Sequence, residues 1–179
     1  MSYFDQIQYI AHVDKADNIL GKIEKWQAHK EGILHRAFTI CLHYEDKIIL
    51  QHRKHPVFGG ILDATISSHQ TYDGEELQSD ETAILNTLKR EWFIEQTDLI
   101  GGLNMKGKVY YKAQDPRSAY IEHEVCYVYS CAMKNLVLPN FEFAYGFSLC
   151  DPEELKDKKG ALYPQLAPWV KEMIEKKLI

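Results

Sequence analysis

Apolar side chains from Ile33 to Tyr44 fall on both parities of an extended chain. Ile33, His35, Ala37, Thr39 and Cys41 make one face, and Leu34, Arg36, Phe38, Ile40 and Leu42 make the other. Two largely apolar faces predict a strand covered on both sides. Glu45-Asp46-Lys47 supplies a turn, and Ile48 to His52 returns beside it. An earlier hairpin is predicted from Tyr9 to Val13 and Ile19 to Ile23, joined by the turn residues Asp14 to Asn18. Trp26 to Lys30 reads as a helical turn that stops at Gly32.

Past the polar stretch Gln70 to Glu81, the period changes. Ser79 to Glu95 predicts the main helix, capped by Ser79, with Asp80 and Glu81 in its first turn, where the helix dipole favours acids. Ile84, Leu88 and Trp92 form its buried stripe; Thr87, Glu91 and Glu95 run alongside. Strands follow at Val109 to Lys112, Tyr120 to Cys131 and Phe143 to Cys150. Asp151-Pro152 and Pro168-Trp169 each open a short helix with proline at its first position. This order predicts one α/β (α+β) domain over residues 1–179, a sandwich around a mixed sheet.

At 179 residues, 45% hydrophobic and 26% charged, the chain is long enough for one sizeable core without staples. No apolar run reaches ~18 residues, and the opening MSYFDQIQYI lacks the pattern of a signal peptide, so a cytoplasmic protein without membrane insertion is expected. The net charge of −5 makes nucleic acid a poor expected partner. Cys41, Cys126, Cys131 and Cys150 show no zinc-ribbon or redox spacing and read as free thiols.

Glu122 and Glu124 stand two apart on a predicted strand, with alpha carbons about 6.7 Å apart on one face. Carboxylates beside core positions are expensive unless a cation or metal meets them; an exposed edge strand is the other reading. His29, His35 and His69 are imidazoles without a short-range metal motif. Together with the two glutamates they would suit zinc, manganese or iron(II). Glu91 and Glu95 are a like-charged i, i+4 pair that would be eased by a divalent cation; a solvated acidic face is the other reading. Lys25, Arg53 and Lys54 are candidate phosphate binders. Ser67 lacks a nucleophile-elbow setting, and no phosphate-binding glycine loop is present.

Leu34-His35-Arg36-Ala37-Phe38, Ile61 to His69, Tyr111-Lys112-Ala113, Glu122-His123-Glu124 and Pro168-Trp169 occur in this order. Together they resemble the type 1 isopentenyl-diphosphate isomerases, a branch of the Nudix superfamily, over roughly residues 10–175. The resemblance implies a Nudix-type α/β/α sandwich and a metal-dependent enzyme that moves the double bond of a small isoprenoid diphosphate. It also implies a metal site of His29, His35, His69, Glu122 and Glu124, taking manganese or zinc. Glu95 matches the helix glutamate that helps hold magnesium on the diphosphate, and Lys25 and Arg53 match diphosphate-binding positions. Trp169 matches the aromatic that faces a carbocation, and Tyr111 and Glu124 match proton-transfer groups.

Two positions depart from that family. Ser67 stands where the isomerases carry the catalytic cysteine, and a serine hydroxyl is a far weaker acid than a thiol. Glu91 stands where they carry a diphosphate-binding arginine and matches the hydrolytic Nudix helix instead; Ile94 and Thr97 depart from that helix in turn. Three readings stay open: an isomerase-like enzyme with Ser67 in the catalytic place, a Nudix hydrolase that cleaves a diphosphate with metal-bound water, and a non-catalytic diphosphate binder.

Overall fold

The computed structural model describes residues 2–179. In chain order the strands are β1 (Tyr9–Val13), β2 (Ile19–Glu24), β3 (His35–Tyr44), β4 (Lys47–Arg53), β5 (Leu62–Asp63), β6 (Ile66–Ser68), β7 (Tyr72–Asp73), β8 (Glu76–Leu77), β9 (Leu99–Gln114), β10 (Ile121–Met133) and β11 (Ala144–Cys150). The helices are α1 (Lys25–Glu31), α2 (Asp80–Trp92), α3 (Pro152–Lys156) and α4 (Pro168–Glu175). β7 and β8 form a small separate hairpin; the other strands share one mixed sheet.

β3 organises that sheet. It pairs parallel with β10 from Glu124↔His35 to Ala132↔His43, and antiparallel with β4 and with β6. β10 pairs in turn with β9, and β4 with β11 and β5. The two faces of β3 carry separate cores, as its alternation predicts. Ala37 and Cys41 pack with Leu155 of α3 and Trp169, Val170 and Met173 of α4. Phe38, Ile40 and Leu42 pack with Ile84, Leu88 and Trp92 of α2. Helices thus cover the sheet on both faces, an α/β/α sandwich. Among the described residues, no helix is long and apolar enough to cross a membrane. All four cysteines are free and buried.

Three local expectations are corrected. The main helix ends at Trp92, because Phe93 adopts the left-handed conformation (φ 55°) and its backbone N–H closes back onto Leu88 and Lys89. Ile94 then turns into the core, and Glu95 turns out to solvent. β9 is far longer than the predicted Val109 to Lys112. Asp151 makes no side-chain cap on α3; its carboxylate takes Lys47 Nζ at 2.5 Å.

Candidate metal centre and diphosphate pocket

α1 carries Lys25 and His29 one turn apart, so both side chains leave the same face of the helix. The helix is short and firmly closed. Glu24 accepts from the N–H groups of Trp26 and Gln27 at its start, and Gly32 (φ 62°) takes the left-handed cap at its end. His35 opens β3, opposite Glu124 of β10. His69 follows β6, which lies against β3. Glu122 and Glu124 share one face of β10, while His123 between them points away to the Gly32 carbonyl. β10 lies between β3 and β9, so the two carboxylates are on an interior strand.

The five side chains converge. One ligand atom from each of His29, His35, His69, Glu122 and Glu124 lies within 4.8 Å of all the others, and all five residues are buried. Ligands about 2.1 Å from a shared ion are at most about 4.2 Å apart, so a contraction of a few tenths of an ångström would complete the shell. His29 Nε2 is 3.2 Å from Glu122, His35 Nε2 3.5 Å from Glu124, and His69 Nε2 3.2 Å from Glu124. The Nδ1 of His29 faces the Lys25 carbonyl at 2.6 Å, and that of His35 faces the Ile33 carbonyl at 2.7 Å. A carbonyl only accepts, so each Nδ1 carries the proton and each neutral ring turns its Nε2 lone pair inward.

His29 Nε2, His35 Nε2 and Glu122 Oε2 are buried without a hydrogen-bond partner. Lone pairs facing carboxylates repel unless a proton or a cation lies between them. Burial opposes charge on His29, yet the Glu122 carboxylate outweighs it and raises the imidazole above its ordinary value. The field that draws a proton there would draw a divalent cation more strongly. Residues and field therefore fit a divalent metal. His69 is driven well below the ordinary range by burial and by His35 and His29, so it stays neutral. Burial also works against charge on Glu124, but the neighbouring His35 and the hydrogen bond from Tyr111 hold its carboxyl down. Tyr111, cross-strand from Glu124 on β9, donates its hydroxyl to it at 2.5 Å.

The cluster opens into a pocket whose other wall is cationic. Lys25 is buried with one long hydrogen bond, to Gln8 at 3.4 Å, and its ammonium lies over the rings of Trp26 (4.8 Å) and Tyr3 (5.3 Å); burial, with Arg90 beside it, lowers its pKa to about 8. Arg53 spends one donor on Asp63 (3.2 Å), while its Nε is buried without a partner. Both cations thus hold unused donors in a buried site, the arrangement an anion rewards. Trp169 contributes to the same wall, with the Arg53 guanidinium 5.2 Å from its ring centroid. Glu91 lines the pocket too, held by Arg90 at 2.9 Å.

Ser67 is in the pocket wall and bonds Thr39 Oγ1 (2.7 Å) and Asp63 Oδ1 (3.1 Å). Cys126 is sealed beneath Thr39, with its Sγ 3.4 Å from that hydroxyl. Two candidates are elsewhere. Glu95, expected to hold magnesium from the helix, is half-exposed beyond the helix end and pairs with Lys89 at 2.8 Å. Lys54 donates to the Phe141 carbonyl at 2.9 Å, outside this pocket. Sequence reasoning missed Tyr3 and Phe4, which close the pocket from the N-terminal segment, as well as His55 and Asp63. Asp63 alone had a signal: it is the one charged residue between Ile61 and His69, a stretch otherwise without Asp, Glu, Lys or Arg.

No protein-family model matches the sequence, and no curated protein matches it. Solved structures do. A Deinococcus radiodurans protein, DR0079, aligns with TM-score 0.68 at 15% identity, over 94% of this chain and 98% of that one. The MutT protein of Methanosarcina mazei aligns with TM-score 0.57 at 11% identity, over 80% of this chain and 91% of that one. The Nudix domain of Shewanella oneidensis NrtR, solved with ADP-ribose, aligns with TM-score 0.51 at 14% identity, over 81% and 84%. A MutT Nudix hydrolase from Burkholderia pseudomallei gives 0.53 at 14% identity, over 79% and 96%. At these identities the likeness is one of architecture, and it establishes that this chain has the Nudix-hydrolase fold.

Proposed function

We propose that the protein is a divalent-metal-dependent enzyme that hydrolyses the diphosphate linkage of a small molecule. One observation carries this reading: the three-His, two-Glu cluster faces the same buried space as Lys25 and Arg53, two cations with unfilled donors. Two phosphates and a divalent cation are what such a space balances. His29, His35, His69, Glu122 and Glu124 would hold manganese or zinc. When bound, the ion would supply Lewis acidity to phosphoryl oxygen and acidify water. Magnesium carried in on the diphosphate belongs to the same reading.

The chain's own residues do the rest. Lys25 and Arg53 bind and orient the phosphates and offset the charge that grows on them. Glu91, on the cationic wall, takes the proton of the attacking water. The new bond joins water oxygen to phosphorus, the bridging oxygen leaves with its electron pair, and two monophosphate products result. Tyr3 and Phe4 keep bulk water out.

Hydrolysis is chosen over isomerisation on Ser67. Moving a double bond needs an acid on one side and a base on the other. Glu124 with Tyr111 can serve as one. The other would be Ser67, a hydroxyl already bonded to a carboxylate, with the Cys126 thiol sealed below it. The isomerase reading keeps one specific support, the bonded Tyr111–Glu124 pair whose tyrosine ring is 5.8 Å from that of Trp169.

Phosphorus NMR tests this. The protein is mixed with manganese or magnesium and a panel of nucleoside diphosphate derivatives plus isopentenyl diphosphate, in isotope-labelled water. The expected result is conversion of a diphosphate into labelled monophosphates. Dimethylallyl diphosphate with its diphosphate intact would replace this reading with the isomerase. Binding of the panel without turnover would replace it with a non-catalytic binder.

A further inference from the structure

Asp63 has no exposed surface, yet it reaches three residues of the pocket wall. Its Oδ1 accepts from the backbone N–H of Ala64 (2.9 Å), the indole N–H of Trp169 (2.8 Å) and the hydroxyl of Ser67 (3.1 Å). Its Oδ2 accepts from Arg53 Nη1 at 3.2 Å. Three of these four partners can only donate, so the carboxylate is the acceptor throughout.

That fixes the hydroxyls above it. Ser67 has one proton and gives it to Asp63, so the 2.7 Å bond between Thr39 and Ser67 must be donated by Thr39. Thr39 in turn is open to a proton from the Cys126 thiol, 3.4 Å away. The protons of Thr39 and Ser67 thus both point toward Asp63. Ser67 is left with one unused lone pair, in the pocket wall.

We propose that Asp63 is a positioning residue: it locks Arg53, Trp169 and Ser67 into one array and makes Ser67 a hydrogen-bond acceptor toward the pocket. This rests on the hydrolytic reading. A water that donates to Ser67 keeps its own lone pairs free for phosphorus, whereas an acceptor cannot protonate an alkene carbon.

The test is a set of variants: Ser67→Ala, Asp63→Asn, the two combined, and Thr39→Val. The first should lower kcat about tenfold with little change in KM. Asp63→Asn should lower kcat similarly and also raise KM, since Arg53 loses its anchor. The double variant should have a kcat no lower than Asp63→Asn alone, because one group acts through the other. Independent, multiplying losses would overturn the proposal. Thr39→Val should cost clearly less than Ser67→Ala; an equal loss would mean that Thr39 sets the hydroxyl direction, and this arm decides even if Asp63→Asn does not fold. The NMR signal of the Trp169 indole proton should move upfield in Asp63→Asn, with or without metal; an unmoved signal also overturns the proposal. If the indole moves but the wild type cleaves no diphosphate, the array stands and the hydrolytic reading falls.

Discussion

Three imidazoles and two carboxylates packed in a buried site are costly to keep together, and a bound cation would remove that cost. His69→Ala should weaken manganese binding by more than about tenfold, as measured by calorimetry. The affinity should also fall on acidification. His29 has a raised pKa, so a proton competes with the ion from above the ordinary imidazole value of about 6.5 downward. Calorimetry over a pH series checks this; an affinity that rises on acidification would contradict it. Glu91→Gln should slow hydrolysis by at least about tenfold, while Glu95→Gln, changing an exposed residue paired with Lys89, should leave it nearly unaltered. The five candidate ligands, which the fold brings together, could be picked out only through several motifs read in register, because their nearest spacing, Glu122 to Glu124, is common on any strand. Asp63 was missed, although it stands as an isolated charge between Ile61 and His69. That it gathers Arg53, Trp169 and Ser67 was not legible, since those partners come from three other parts of the chain.

At the scale of elements, the two helix ends carry opposite lessons. Gly32 ends α1 in the left-handed region, and a Cβ there would meet Ile121 at 3.2 Å. Gly32→Ala should therefore cost about 1 kcal/mol or more of stability and weaken metal binding, because α1 presents His29. Phe93 ends α2 in the same conformation without being glycine, and its side chain is 65% exposed. Phe93→Gly should stabilise the fold by about 0.5–1 kcal/mol, read from urea unfolding. The sequence pointed to the first end and hid the second: a glycine marks a stop, whereas a phenylalanine beside Trp92 and Ile94 reads as more helix. β3 was legible because both its faces are apolar. Most of β9 was not, because its outward side chains are exposed and glycines at 101, 102 and 107 break the alternation. Two- and three-residue strands such as β5 and β6 have no period to detect, although β6 sets Ser67 against Thr39.

At the scale of the whole molecule, the sandwich exists largely to bring one end of the sheet together. The cationic wall, the strands that carry the His and Glu cluster, and Trp169 at the start of α4 meet there, from residues spread along most of the chain. Any ion binding only the folded form adds its binding energy to stability. Manganese at about 100 times its Kd should raise the unfolding free energy by about 2.7 kcal/mol, roughly 5–10 °C in Tm, and a chelator should reverse it. The pairing of β10 with β3, which sets Glu124 beside His35, has a further consequence during synthesis. The histidines at 29 and 35 leave the ribosome long before the carboxylates at 122 and 124 have been made. A nascent chain therefore holds imidazoles without their counter-charges. On the proposed reading, tight capture of an ion would have to wait for β10 to dock, which would make metal uptake a clock for the completion of the sheet.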